Sequence, residues 1–234
     1  MTNNNMFFIA NWKMHGNTGN IIKSKSVIKL ANTKKYKKYK IIYCPPYTLL
    51  NNFYKKVRNS RISIGAQNCV SNYEYGPFTG SINSKLIKST GAKYIIIGHS
   101  ENRSNGETDF IINKKIRSTL RDNLKVIFCI GETLSEKKKK KTHNVLKKQI
   151  NNGLKNIKKF DNIIIAYEPI WSIGTGMIPK NFELSKNINN IKKILIKIKK
   201  SINIKVLYGG SVNPENVKKL AQIKELNGFL VGGS

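Results

Sequence analysis

Short apolar runs rich in β-branched residues recur along the chain, and longer polar stretches with helical periodicity separate them. Several runs are hydrophobic at nearly every position, which is typical of strands buried on both faces of a parallel sheet. The alternation of such strands with helices predicts an α/β fold. The predicted strands cover residues 6–10, 40–44, 61–66, 93–98, 125–130, 162–167, 205–208 and 228–231.

Eight predicted strands favour one closed (β/α)8 barrel over residues 1–234 rather than an open doubly wound sheet. No G-x-G-x-x-G motif follows the first strand, so nothing indicates a dinucleotide-binding fold. Among the connecting segments, the one that follows the sixth strand has the clearest helical spacing of apolar residues. Its apolar positions are Leu184, Ile188, Ile191, Leu195 and Ile198.

The eighth predicted strand is followed by Gly232, Gly233 and Ser234, without a segment of helical pattern. In a barrel of this kind each strand is normally followed by a helix that covers it. We therefore expect the final C-terminal helix to be missing. We also expect an apolar flank beside the first and eighth strands to be exposed to solvent.

Hydropathy and cysteine content limit the cellular compartments in which we expect the protein. No apolar run approaches the ~20 residues needed to cross a bilayer, and residues 1–6 lack the basic and apolar regions of a secretory signal. The cysteines Cys44, Cys69 and Cys129 are odd in number and lack metal-ligand spacing. They indicate a reducing compartment without a disulfide framework or zinc site. We therefore expect a cytoplasmic protein without a membrane partner or a bound metal.

The charge balance is strongly basic, with 43 Lys and Arg residues against 12 Asp and Glu, a formal net charge of +31. Such a charge attracts polyanions, so one hypothesis is nucleic-acid binding. However, Lys, Asn and Ile are over-used together, and lysine fills nearly every polar stretch instead of one face. We therefore interpret the charge as compositional bias, and the lysines at 137–141 as the solvated face of a helix. We expect no specific nucleic-acid partner.

Polar residues and glycines stand where the predicted strands end. The active sites of (β/α)8 barrels lie at this rim. Three of the scarce acidic residues, Glu101, Glu132 and Glu168, fall there, with Lys13 and His99 after the first and fourth strands. Singly, each has an ordinary explanation, such as a solvated lysine or a structural histidine. Together they indicate a catalytic site.

The set also makes chemical sense. Glu168 is placed to take a proton from a carbon beside a carbonyl, while Lys13 and His99 polarise that carbonyl and stabilise an enediolate. Glycines after the seventh and eighth strands leave backbone N–H groups free for a phosphate. The glycine-containing stretch after Glu168 is suited to form a lid that excludes water.

Several motifs closely resemble triose-phosphate isomerases, in register from about Phe7 to Ser234. They are Asn11-Trp12-Lys13, Gly98-His99-Ser100-Glu101, Ala166-Tyr167-Glu168-Pro169-Ile170-Trp171, Ile173-Gly174-Thr175-Gly176 and Tyr208-Gly209-Gly210-Ser211-Val212. The resemblance implies a TIM barrel. It also implies interconversion of dihydroxyacetone phosphate and D-glyceraldehyde 3-phosphate through an enediol(ate), in glycolysis and gluconeogenesis, without a cofactor.

The resemblance implies Glu168 as the base and His99 as the neutral electrophile, the pattern already described for that enzyme, with Lys13 fixing the substrate. Further residues would bind the substrate, most of them through backbone N–H groups to the phosphate. They are Asn11, Lys13, Gly174, Ser211, Gly232 and Gly233. Supporting residues would be Glu101 and Cys129, with Ile173 and Leu230 as an apolar pair over Glu168.

A homodimer is implied by the same resemblance. Gln67, Asn68 and the loop from Tyr73 to Gly80 are similar to the contact loop that the family's subunits exchange. The family usually has an acidic residue where this chain has Ser81, and an arginine where it has Asn102. Because both charges are lost together, neither is left unpaired. We therefore expect the interface to persist in a weaker form.

Two alternatives remain open at this stage. A different barrel enzyme acting on a phosphorylated small molecule would fit the glycine-rich strand ends, but it leaves the stretch after Glu168 unexplained. Faster turnover of other sugar phosphates would favour it. An RNA-binding scaffold would fit the +31 charge. Steeply salt-dependent RNA binding without isomerase activity would favour that hypothesis.

Overall fold

The computed structural model describes residues 6–72, 74–200 and 203–232. Its eight parallel strands close into a barrel in chain order, which confirms the predicted fold. The strands are β1 Phe7–Asn11, β2 Lys40–Cys44, β3 Ser63–Ala66, β4 Tyr94–Ile97, β5 Lys125–Ile130, β6 Ile163–Tyr167, β7 Lys205–Tyr208 and β8 Gly228–Val231. Four predicted strands have these bounds, and the others differ by one or two residues.

Helices follow most of the strands and surround the barrel. The α-helices are α1 Lys25–Asn32, α2 Leu50–Val57, α3 Ser84–Ser89, α4 Ser100–Ser104, α5 Asp109–Arg121, α6 Leu134–Lys138, α7 Thr142–Gly153, α8 Asn181–Ile198 and α9 Val217–Leu220. Short 3-10 helices occur at Thr18–Ser24, Lys34–Tyr36, Tyr47–Leu49 and Ile170–Ser172. None of the helices in the described ranges is long and apolar enough to span a membrane.

Two predictions about helices need correction. The apolar spacing predicted α8, and four of its five positions are buried, but Ile198 is 38% exposed because it lies at the last residue of the helix. The lysine run 137–141 is helical only as far as Lys138. Lys140 has a φ of 56°, a left-handed conformation that no helix continues through. The remaining lysines form the turn between α6 and α7.

The strands are apolar throughout because they separate two hydrophobic layers. Ile96 on β4 points into the barrel, whereas its neighbours Ile95 and Ile97 pack against the surrounding helices. All three are fully buried. Consecutive strand residues point to opposite faces, so a strand with helices outside and packed side chains inside has no solvent-facing position.

The barrel closes where β1 pairs with β8, in a register that runs from Phe7↔Gly228 to Ala10↔Val231. No helix follows β8 in the part of the chain that the structure describes. The flank beside this seam is an open groove, as expected, lined by apolar side chains from β1, β2, β8, α1 and the segment just before β2. They include Phe8, Leu30, Tyr39, Ile41 and Val231.

Candidate active site

Lys13 follows β1 in a backbone conformation that residues with side chains rarely adopt, with a φ of 52°. Two neighbouring side chains hold it there. Asn11 Oδ1 accepts the N–H of Lys13 at 3.1 Å, and the amide of Gln67 donates to the Lys13 carbonyl at 2.8 Å. Gln67 also donates to the Cys44 carbonyl at 2.9 Å. The Lys13 ammonium then lies 2.8 Å from Oε1 of Glu101, at the rim of the barrel.

His99 caps the N-terminus of α4, and this position determines the roles of its two ring nitrogens. Its Nδ1 accepts the backbone N–H of Glu101 at 3.3 Å. The Glu101 carboxylate lies 3.6 Å from the same nitrogen, too far for a hydrogen bond. A nitrogen that accepts an N–H carries no proton, so the proton of the neutral ring is assigned to Nε2. Nε2 lies 3.2 Å from Oε1 of Glu168.

Glu168 follows β6 and is only 2% exposed. Burial raises the pKa of its carboxyl above the ordinary value, because the charged form loses its hydration. Four neighbours oppose this rise and stabilise the carboxylate. They are, in decreasing order, His99, the Cys129 thiol, the backbone N–H of Ser100, and Lys13. The side chain is therefore a desolvated carboxylate that is held by polar contacts, which is the environment of a general base.

Two glycines make the room that Glu168 occupies. A Cβ on Gly131, at the end of β5, would lie 1.7 Å from the backbone oxygen of Glu168. A Cβ on Gly209, at the end of β7, would lie 2.7 Å from the Cγ of Glu168. The backbone of Glu168 is also bound to the neighbouring strand, because its N–H donates to the Ile130 carbonyl at 2.7 Å. Strand ends on both sides thus fix the position of the carboxylate.

Arg103 joins the ends of β4 and β5 near the candidate catalytic side chains. Its Nε donates to the Gly98 carbonyl at 2.8 Å and its Nη2 to the Cys129 carbonyl at 3.3 Å. Asp109 pairs with its Nη1 at 2.7 Å. Burial, followed by the Glu168 charge, raises the pKa of the Cys129 thiol well above its ordinary value. Cys129 therefore stays protonated and is available to donate to Glu168.

The segment after Glu168 is anchored at its start and turns sharply at its tip. The indole N–H of Trp171 donates to the Glu132 carboxylate at 2.9 Å. The Lys137 ammonium lies 3.5 Å from the centroid of the same ring. Gly174 and Gly176 then adopt left-handed φ angles of 69° and 74°, which glycine adopts without steric cost. Residues 170–177 thus form a short flap whose first residues are held by hydrogen bonds.

Glu132 is fully buried beneath that flap. Burial raises the pKa of its carboxyl, and the hydrogen bond from Trp171 is the largest opposing cause. The Tyr167 hydroxyl also donates to it, at 3.1 Å. Glu132 thus holds the base of the flap instead of facing the reacting groups.

The residues predicted to bind the substrate phosphate have different surroundings. Gly174 lies exposed on the flap, and Gly232 follows β8 so closely beside Lys13 that a Cβ would lie 3.1 Å from its Cε. The N–H of Ser211 donates to the Ser172 carbonyl at 3.1 Å, so in this conformation it is not free for a phosphate. Gly233 lies outside the described residues.

Most of the predicted site residues line one cavity at the carboxyl end of the barrel. Its free volume is only about 10 Å³, and the flap residues Ile173 and Gly174 form part of its wall. The lining residues are Asn11, Lys13, His99, Glu168, Ile173, Gly174, Gly209, Gly210, Leu230 and Gly232. Glu101 and Cys129 contact this set from outside the cavity, whereas Ser211 bonds to Ser172 and Gly176. In the described ranges, no three His, Cys, Asp or Glu residues are grouped so as to hold a metal ion.

Sequence reasoning missed three supporting side chains. Gln67 was assigned to the subunit contact, yet its amide holds Lys13. Arg103 and Ser172 received no role, although the first joins two strand ends and the second joins the flap to the turn after β7. Only the position of Arg103, four residues after His99 in the rim segment, offered a signal in the sequence.

Comparison with known proteins places this geometry in a wider context. A family model described as triosephosphate isomerase matches residues 6–234. A curated triosephosphate isomerase of Dictyoglomus thermophilum is 39% identical over 233 residues, covering 96% of this chain and 92% of the relative. Another, from Thermodesulfovibrio yellowstonii, is 38% identical and covers 97% of this chain and 93% of the relative.

A solved structure supports the same relationship. The crystal structure of triosephosphate isomerase from Bartonella henselae superposes with a TM-score of 0.89 at 32% sequence identity. The match covers 97% of this chain and 92% of that chain. The similarity therefore extends over the whole barrel and includes the rim on which the candidate site lies.

Proposed function

Because the chain belongs to the triosephosphate isomerase family, we propose that Glu168, His99 and Lys13 carry out its reaction. The protein is an aldose–ketose isomerase of glycolysis, which interconverts dihydroxyacetone phosphate and D-glyceraldehyde 3-phosphate. The single observation that carries the assignment is the buried Glu168 carboxylate beside the His99 ring, with Oε1 and Nε2 3.2 Å apart.

Glu168 removes a proton from the carbon next to the carbonyl. The electrons of that C–H bond form the C=C bond of an enediolate, and the negative charge develops on the former carbonyl oxygen. The Nε2–H of His99 donates to this oxygen, and the Lys13 ammonium offsets its charge. His99 gives its proton to this oxygen and takes the proton of the neighbouring hydroxyl, whose oxygen becomes the new carbonyl as Glu168 returns its proton to the adjacent carbon. The aldose and the ketose thus interconvert without a net change of oxidation state or a cofactor.

Burial prepares the carboxylate for this step. A raised pKa makes Glu168 a stronger base than an exposed glutamate. Ile173 on the flap and Leu230 on β8 line the same cavity and exclude water from it. Water exclusion also strengthens the interaction between the developing oxyanion and His99, since the local dielectric is lower than in solvent.

For the substrate phosphate we propose backbone N–H groups of the flap and of the turns after β7 and β8. Gly174 and Gly232 already line the cavity. Ser211 would contribute its N–H after exchanging the Ser172 carbonyl for a phosphate oxygen, and Gly233 would add a further N–H. Asn11 supports this arrangement by holding the backbone of Lys13.

The test is interconversion of the two triose phosphates by the purified wild-type chain and by Glu168→Gln. We expect the variant to lose nearly all turnover while it still binds inorganic phosphate. The exposed Glu215, which lies in the turn before α9, provides a matched control, so Glu215→Gln should retain wild-type rates. Unchanged turnover in Glu168→Gln would remove Glu168 as the base, and an inactive wild type would remove the assignment of the whole site.

We also propose a homodimer formed through the loop of residues 73–80, of which Tyr73 lies outside the described residues. The rings of Tyr75 and Phe78 are 65% and 48% exposed in the isolated chain, and Met14 is 95% exposed. Large apolar side chains exposed in this way support an interaction surface. Lys85 and Arg121 both pair with Glu74 and anchor the loop, and no ion pair involving Ser81 or Asn102 is needed for this anchoring.

A cytoplasmic location is the setting we propose for this enzyme. Cys44, Cys69 and Cys129 are all free and buried, which agrees with a reducing compartment. Fractionation of cells that express the tagged chain tests this proposal. Recovery in the membrane or secreted fraction would contradict it.

A further inference from the structure

Ser172 is a fully buried serine on which three segments of the chain converge. It is the last residue of the 3-10 helix Ile170–Ser172, at the start of the flap. Its hydroxyl donates to the carbonyl of Met177, at the other end of the flap. The same oxygen lies 2.8 Å from the Tyr208 hydroxyl and 3.4 Å from the backbone nitrogen of Ser211.

Counting donors and acceptors determines the direction of these bonds. A serine hydroxyl has one proton to donate and two lone pairs to accept with. Its proton goes to the Met177 carbonyl, which can only accept. The Tyr208 hydroxyl must therefore donate to Ser172, and the N–H of Ser211 approaches the second lone pair. The hydroxyl is fully used, and it makes no contact with the catalytic side chains.

The carbonyl of Ser172 strengthens the same connection. It accepts the N–H of Ser211 at 3.1 Å and the hydroxyl of Ser211 at 2.6 Å. The Ser211 hydroxyl in turn accepts the N–H of Gly176 at 3.1 Å. Both ends of the flap are thus bonded to the turn after β7.

Gly210 shows how closely these groups approach. A Cβ at this position would lie 2.2 Å from the Tyr208 hydroxyl and 2.6 Å from the Ser172 hydroxyl. The space beside Gly210 is therefore filled by this pair of hydroxyls, and a side chain at this position would have to displace them.

We propose that Ser172 is a positioning residue whose hydroxyl, bonded to Met177 and Tyr208, holds the flap closed over the cavity and couples its closure to the phosphate-binding turn. This inference rests on the proposed role of the flap in covering Glu168. The flap cannot lift without separating the Ser172 hydroxyl from at least one of these partners. Ser172 thereby acts on substrate binding through the flap and has no contact with the reacting atoms.

The decisive experiment compares wild type, Ser172→Ala, Tyr208→Phe and the double variant. Ser172→Ala leaves the Met177 carbonyl and the Tyr208 hydroxyl without their partner, and one buried hydrogen bond corresponds to roughly a tenfold change in an equilibrium constant. We expect KM and the inhibition constant of inorganic phosphate each to rise about tenfold, with a smaller change in kcat. Ser185→Ala, which removes a hydroxyl bonded to Glu225 outside the flap, is the matched control.

Two further measurements distinguish a positioning role from a merely structural one. They are the coupling between the Ser172 and Tyr208 substitutions and the mobility of the flap. Tyr208→Phe in the Ser172→Ala background should add less than twofold to KM, because the shared bond is already lost. In protein labelled with fluorotryptophan, the Trp171 resonance of Ser172→Ala should report an open or exchanging flap in the presence of phosphate. The Trp12 resonance should stay unchanged.

Several outcomes would overturn the inference. One is an active wild type whose Ser172→Ala variant keeps the wild-type KM and phosphate inhibition constant. Another is a Ser172→Ala variant with a lower melting temperature but an unchanged Trp171 resonance. Additive effects in the double variant would also do so. Should Ser172→Ala not fold, Tyr208→Phe carries the test, and an unchanged phosphate inhibition constant there would contradict the proposal. An inactive wild type would instead contradict the proposed function.

Discussion

Oε1 of Glu168 lies 3.2 Å from Nε2 of His99, and both side chains are almost completely removed from solvent. The histidine proton is directed toward the carboxylate because the other ring nitrogen is occupied by the N–H of Glu101. The side chains that we propose as base and electrophile thus contact each other in this structure. We predict that a substrate oxygen in the cavity accepts the Nε2–H instead and leaves the carboxylate free for proton abstraction.

The buried Glu168 carboxylate lowers the free energy of unfolding by an amount that depends on pH. Because its pKa is raised above 4.5 in the folded protein, the folded state binds more protons than the unfolded chain between that value and the raised pKa. The free energy of unfolding therefore falls as pH rises through this window. Glu168→Gln removes the penalty, and each 1 kcal/mol recovered raises Tm by about 2–4 °C.

We expect Glu168→Gln to melt above wild type at pH 7 to 8 and to approach it near pH 4, as measured by calorimetry. Equal melting temperatures across the whole range would contradict the raised pKa. Glu215→Gln, which alters an exposed carboxylate, should follow wild type at every pH.

Gly131 is predicted to be irreplaceable even by alanine. The added Cβ would lie 1.7 Å from the backbone oxygen of Glu168, so β5 and β6 must separate or Glu168 must move. We expect a loss of at least about 3 kcal/mol in the free energy of unfolding, together with loss of turnover. Gly106→Ala is the control, because that position has a φ of +92° but open space around it. It should cost about 1 kcal/mol.

Gln67 is predicted to act on catalysis through Lys13. Gln67→Leu removes both donors from the carbonyls of Lys13 and Cys44, and the strained turn at Lys13 loses its support. We expect kcat/KM to fall about 10- to 100-fold. Steady-state kinetics beside the exposed control Gln222→Leu checks this. A normal kcat/KM combined with a weaker dimer would contradict this role and would show that Gln67 acts at the subunit contact.

The exposed ring of Phe78 is predicted to be buried between subunits. Phe78→Asp places a charge in that contact, which is costly to desolvate. We expect sedimentation to show a shift from dimer to monomer at micromolar concentration. Phe182→Asp is a control, because this ring is 80% exposed on α8, away from the loop. A wild-type monomer at the same concentration would contradict the proposed dimer.

The barrel was predictable from the sequence because its strands are buried on both faces and therefore appear as continuous apolar runs. The prediction of β2, β5, β7 and β8 needed no correction. Position at a strand end was also enough to suggest Glu168, His99 and Lys13, and the structure brings them together. Their catalytic roles stay predictions that the variants above test.

Contacts between distant parts of the chain were not predictable in this way. The need for glycine at Gly131 comes from the backbone of Glu168, and the role of Gln67 comes from the turn at Lys13. No local pattern marks either relationship. The end of α6 at Lys138 was missed for a different reason, since a run of identical lysines contains no signal for a turn.

The seam between β1 and β8 has a consequence for how the protein is made. β1 leaves the ribosome well before the strand that pairs with one of its edges, from Gly228 to Val231. Until then an apolar strand edge stays open, and such edges pair readily with other chains. Lys13 likewise meets Leu230 and Gly232 only at that moment. Newly made chains should therefore be inactive and prone to mispairing until closure, and dependent on chaperones during synthesis.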